Sequence, residues 1–121
     1  MTRLLLCVLL FLTACSKEEL GPGLSGTWER NEQFINPGNT GAWAPITDNP
    51  KIWVRFAPDG ILTSNHSYYS RFTNYQVTAP DSILLSSAAG KKEYLRFAQF
   101  NNQLTLRYTC REDCGDNFLR K

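Results

Sequence analysis

Residues 51–64 read KIWVRFAPDGILTS, and this stretch decides the fold class. Ile52, Val54 and Phe56 alternate with Trp53 and Arg55, which puts the first three on one face of an extended chain. Pro58-Asp59-Gly60 then supplies a turn by a known mechanism, because Pro presets its own φ and Gly accepts a positive one. Ile61 to Ser64 is extended again, so the spacing predicts a hairpin over 51–64. No run of ten or more residues in the mature chain carries helical apolar spacing. The chain is read as all-β.

The same signals recur outward from the hairpin. Upstream, Gly26-Thr27-Trp28-Glu29-Arg30 begins a strand that runs to Phe34, followed by a loop over 35–50, INPGNTGAWAPITDNP, rich in Pro, Gly and Asn. Downstream, residues 68–77 read as extended, with Tyr69, Arg71, Thr73, Tyr75 and Val77 on one side. Ala79-Pro80-Asp81 turns into a strand over 82–86, and Ala88-Ala89-Gly90-Lys91 turns into another over 93–100. Asn101-Asn102 is a tight-turn signal leading to residues 103–108, where Leu104, Leu106 and Tyr108 alternate with Thr105 and Arg107. Asn117-Phe118-Leu119-Arg120 then closes the sheet. About eight short strands at this spacing form an antiparallel up-and-down meander, and such a meander closes into a small barrel.

At 121 residues the chain is long enough for one domain. Its 13 basic and 11 acidic residues leave a formal charge of +2, with no basic run beyond Lys91-Lys92 and Arg120-Lys121. That pattern is not the electrostatic footprint of a nucleic-acid binder, so no nucleic-acid partner is expected.

The first fourteen residues divide as a secretory signal does: a basic residue (Arg3), an apolar core from Leu4 to Leu12, then small residues. The core is about half the roughly 20 residues a transmembrane helix needs. Leu12-Thr13-Ala14-Cys15 resembles the bacterial lipobox. That resemblance implies cleavage before Cys15, acylation of its sulfur and new amino group, and membrane attachment through this lipid anchor. Two or more acyl chains give stable anchoring at about 0.8 kcal/mol per buried methylene. Ser16-Lys17-Glu18-Glu19 is similar to the export signal of surface lipoproteins in the Bacteroidota, which implies the cell envelope, the outer membrane and exposure at the surface. The expected organisation is a signal peptide over 1–14, a lipidated tether over 15–23 and a folded domain over 24–121.

Cys7 leaves with the signal and Cys15 is acylated, so Cys110 and Cys114 remain. In an oxidising compartment their spacing favours a disulfide that clamps a turn, worth about 2 kcal/mol for so short a loop. Zinc takes four ligands, and His66 is the one histidine available, so no metal is expected. Glu112-Asp113 reads as a solvated turn and Ser-Asn-His-Ser-Tyr as a turn that exposes His66. No phosphate loop or nucleophile elbow is present, and no cofactor or enzyme activity is expected.

Leu24-Ser25-Gly26-Thr27-Trp28 resembles the Gly-x-Trp start of lipocalins. FAPDG after a Trp-bearing strand, the LTLRYTC strand, Cys-x3-Cys and a terminal Phe-x-Arg are similar to the small lipocalin-like domains of Bacteroidota lipoproteins. The resemblance implies a barrel whose base is closed by Trp28 beneath Arg120, in a cation–π contact of about 0.5–2 kcal/mol. An eight-stranded barrel either fills its interior with side chains or holds one small ligand. If it holds an apolar or amphipathic ligand, the contacts fall to Trp43, Trp53, Tyr69 and Tyr75, with Tyr68 and Tyr94 as further interior aromatics. If it is filled, it serves as an interaction or accessory module that offers the 35–50 loop to an envelope protein.

Overall fold

The structure, a computed structural model, describes residues 23–35, 41–109 and 113–121. The signal, Cys15 and the tether as far as Pro22, Cys110 and Glu112 lie outside the described residues, as do the side chains of Thr109 and Asp113. Nine strands are described: β1 (Gly26–Ile35), β2 (Ala42–Pro45), β3 (Trp53–Phe56), β4 (Leu62–Ser64), β5 (Asn74–Ala79), β6 (Ser82–Ser86), β7 (Lys92–Phe100), β8 (Gln103–Thr109) and β9 (Asp113–Arg120). A 3-10 turn, Tyr69–Arg71, precedes β5.

All but β2 form one antiparallel sheet in meander order, β4-β3-β1-β9-β8-β7-β6-β5, as the spacing predicts. The sheet curls until its two edge strands meet at the Ile61–Asn74 bridge. There Leu62 N–H donates to Thr73 O at 2.9 Å and Tyr75 N–H to Gly60 O at 3.0 Å. The result is a nearly closed eight-stranded barrel, with β9 paired back onto β1 from Trp28–Arg120 to Gln33–Asp116.

The turns that set this register follow from their residues. Gly60 takes φ +89 in the β3–β4 connection, and Gly60 N–H bonds Ala57 O at 3.0 Å. Asn101, with φ 54, makes the β7–β8 turn; among non-glycine residues Asn is one of the few that tolerate this region. Alternation then sends Val54, Phe56, Leu62, Ile83, Leu85, Leu95, Leu104, Leu106 and Phe118 inward, each no more than 2% exposed. Burial of each such side chain is worth roughly 1.5–3 kcal/mol.

Three expectations about the strands need correction. Residues 68–77 are not extended throughout, because Tyr69–Arg71 forms the 3-10 turn and the strand starts at Asn74. The cause is tertiary: this turn draws Tyr69 to 0% exposure in the core. The 35–50 loop contains β2, which pairs with β1 from Glu32–Pro45 to Ile35–Ala42. The last strand begins at Asp113 rather than Asn117, because β8 carries its pairing as far as Thr109–Asp113.

Candidate functional site

Both ends of the barrel are occupied by side chains, and they differ in chemistry. At the end where the described chain begins, Trp28 is fully buried and its indole N–H donates to Leu24 O at 2.9 Å. The guanidinium carbon of Arg120 stands 4.1 Å from the indole centroid. Arg120 also donates to Ser25 O and Gly23 O, each at 2.7 Å, so the strand end and the entering chain are held on one cation.

The other end is built around a buried charge. Asp116 projects inward from β9 at 0% exposure. Its Oδ1 accepts from Arg30 Nη1 at 3.1 Å and its Oδ2 from the Tyr69 hydroxyl at 2.9 Å. Arg30 comes from β1, where it pairs with Phe118 of β9 beside a register shift between Arg30 and Glu32. Its other side makes a two-pronged contact with Asp48, Nη2 to Oδ1 at 3.0 Å and Nε to Oδ2 at 3.2 Å. Such a fork fixes both orientation and charge. Burial works against the Arg30 cation, but the hydrogen bonds and charges of Asp48 and Asp116 outweigh it and raise its pKa.

His66 belongs to this cluster. It is 7% exposed, which corrects the expectation of an exposed turn residue. Its Nδ1 accepts the Tyr68 N–H at 3.0 Å, so the neutral ring carries its proton on Nε2, 3.5 Å from Asp116 Oδ2. The ring packs 4.6 Å from Tyr69 and 6.4 Å from Tyr108, centroid to centroid. Burial lowers the His66 pKa and the Arg30 charge adds to this, against the pull of Asp116 and Asp48. Above the network, Tyr68 stacks on Tyr108 at 4.2 Å, and its hydroxyl donates to Glu93 Oε2.

The pH dependence follows from these signs. The unfolded chain protonates His66 near its ordinary 6.5, while the folded chain resists protonation until lower pH. Stability therefore falls as pH drops below about 6.5 and levels off below the folded pKa. Glu93 is shifted down by the Tyr68 hydrogen bond, so its contribution is intact above 4.5 and is lost at lower pH. Urea melts of His66→Asn, whose side-chain oxygen can still accept the Tyr68 N–H, should lack the first of these declines. An unchanged profile would show that His66 does not titrate on unfolding.

The four ligand-contact candidates do not converge. Trp43 lies on the outside, edge-on to Phe34 at 5.2 Å, with the Arg107 guanidinium over both rings. Gly115 makes room for it, since a Cβ there would sit 3.2 Å from the Trp43 ring. Trp53 is half-buried and alternates with the inward Val54, which also faces it outward. Tyr69 is wholly buried, and Tyr75 packs edge-on to Phe56 at 4.9 Å with its hydroxyl on Ala57 O. Among the described residues no ring contact joins any two of the four. Tyr94 is 65% exposed on β7, so it is no interior aromatic. Cys114 stands opposite Tyr108 across β8 and β9.

No protein-family model, curated protein or solved structure matches the chain. The barrel geometry therefore stands by itself, an eight-stranded antiparallel meander compatible with a lipocalin-like fold. A hollow of about 400 Å³ lies against the outward Arg96, Ala98, Thr105 and Arg107 of β7 and β8. Another of about 400 Å³ lies beside the 3-10 turn, between Arg71 and Lys91.

The Arg30–Asp116–His66 network is absent from the sequence expectations. Its one sequence signal is phase: with β9 started at Asp113, Asp116 shares a face with Phe118. Chemically the cluster is saturated. Both Asp116 oxygens accept hydrogen bonds and the acceptor nitrogen of His66 is taken by backbone.

Proposed function

We propose that this chain is a lipid-anchored lipoprotein of the cell envelope whose filled, lipocalin-like barrel is an interaction module rather than a ligand carrier or an enzyme. The observation that supports it most is the barrel interior. One half is occupied by apolar side chains from β3, β4, β6, β7, β8 and β9. The other is spanned by hydrogen bonds from Asp48 through Arg30 and Asp116 to Tyr69. An eight-stranded barrel has an interior just wide enough for side chains to fill. The surface offered to an envelope protein is the β1–β2 pair, where half-buried Trp43 sits beside Arg107 and β1 ends in 47% exposed Ile35.

The anchor is Cys15, and the resemblance of residues 16–19 to a surface-lipoprotein export signal favours the outer membrane. Cys110 and Cys114 pair as a disulfide that clamps the β8–β9 connection. Growth with a palmitate analogue tests the anchor: wild-type chain takes up label and Cys15→Ala takes up none. Native mass spectrometry of the labelled protein tests the filled barrel. The expected spectrum contains the acylated chain alone, and a stoichiometric lipid-sized companion would return the barrel to ligand binding.

A further inference from the structure

An up-and-down barrel places alternate connections at one end. Here that end carries the β3–β4, β5–β6 and β7–β8 turns, the last residue of β9 and the first of β1. Gly23, where the described chain begins, is tied to it by Arg120. Among the described residues the exposed large apolar side chains are Ile35, Ile61, Val77, Tyr94, Phe100 and Leu119. Ile61, Val77, Phe100 and Leu119 all belong to the end where Gly23 leaves. They flank its turns, and Phe100 and Leu119 both pair with Gln103 on the outer face. Phe100 is 74% exposed, an unusual state for a side chain whose burial is worth roughly 1.5–3 kcal/mol.

We infer that this end of the barrel seats on the lipid bilayer, with Phe100, Ile61, Val77 and Leu119 entering the interfacial layer. The inference rests on the anchor proposed above and adds an orientation to it. Seven residues separate Cys15 from Gly23, which reach at most about 29 Å when fully extended. A domain held so closely meets the bilayer at high effective concentration. The end that meets it first is the one from which the tether leaves, and that end carries these apolar side chains. Apolar contact of this kind adds to an acyl anchor, because both remove hydrocarbon from water. The opposite end offers a turn of Ala88, Ala89, Gly90 and Lys91 and, of the exposed large apolar side chains, Ile35 at the end of β1. That leaves the β1–β2 pair at the far end facing away from the membrane, free to meet a partner.

The test is relaxation enhancement by NMR on the full acylated protein in discs of phosphatidylethanolamine and phosphatidylglycerol doped with a gadolinium-chelate lipid. The amides of Gly60, Asp81 and Asn102 should relax several-fold faster than those of Ala88 and Gly90. The double variant Ile61→Ser/Phe100→Ser, exposed at both sites, should retain its fold and lose this gradient, whereas Tyr94→Ser should keep it. Equal enhancement at both ends of the acylated wild type, or a reversed gradient, overturns the orientation and leaves the anchor standing. A chain with no acyl label that still shows the gradient keeps the orientation and overturns the anchor.

Discussion

Asp116→Asn should cost about 3–5 kcal/mol of folding free energy, the usual consequence of removing one partner from a buried ion pair. Asp116 is fully buried and accepts from Arg30 and Tyr69, with His66 Nε2 3.5 Å from its Oδ2. The amide keeps the shape but turns one acceptor into a donor, which must then face either the Arg30 guanidinium or the Tyr69 hydroxyl. Arg30 would retain only Asp48, whose carboxylate is 15% exposed. Most domains of this size hold only about 5–15 kcal/mol in total, so urea melts should show the midpoint falling by roughly a fifth or more.

The pair is not thereby a net source of stability. Replacing both charges by apolar groups of similar volume is often neutral or better, so Arg30→Met/Asp116→Leu should melt well above Asp116→Asn. Asp48, released from the fork, lies near enough to water to be solvated. A loss below about 1 kcal/mol in Asp116→Asn would mean that the charge is solvated in solution. In that case the far end of the barrel is open.

Trp28→Ala should cost a further large sum by a different route, about 3–5 kcal/mol for deletion of a buried aromatic side chain. Trp28 is the largest fully buried side chain, and three features depend on it: the hydrogen bond to Leu24 O, the cation–π contact with Arg120 and the pairing end of β9 on β1. Trp28→Phe separates packing from the polar contact, because it keeps most of the ring area and loses the indole donor. It should cost about 1–2 kcal/mol, near the value of one hydrogen bond and a small cavity. Equal losses for the two variants would assign the whole effect to the hydrogen bond and overturn the packing account.

Legibility in the sequence followed interaction range. The strands at Ser82–Ser86 and Gln103–Thr109, and the turns at Gly60, Asn101 and Gly90, were readable because alternation and turn chemistry are local. The 3-10 turn at Tyr69–Arg71 is not legible locally, because extended propensity over 68–77 yields to the hydrogen bond between Tyr69 and Asp116, 47 positions away. Likewise β2 lies within a segment of turn-forming residues, and its pairing depends on the packing of Trp43 against Phe34 and above Gly115. The burial of His66 escapes the sequence for a comparable reason. A turn sequence states that the chain bends, and says nothing of which way the ring points.

What the sequence determined by itself is therefore the meander: where strands run, where they reverse and which of their faces is apolar. Period-two patterning and turn residues act over a few positions, so one chain read in order contains that information. Tertiary structure alone decided how the interior is occupied. Arg30 and Asp116 are 86 positions apart, and neither could be assigned to a barrel interior until ring closure placed β9 against β1. A charged residue is stable inside only when its partner is already there. That condition is set by the closed barrel, and it makes the interior of this one a set of linked side chains.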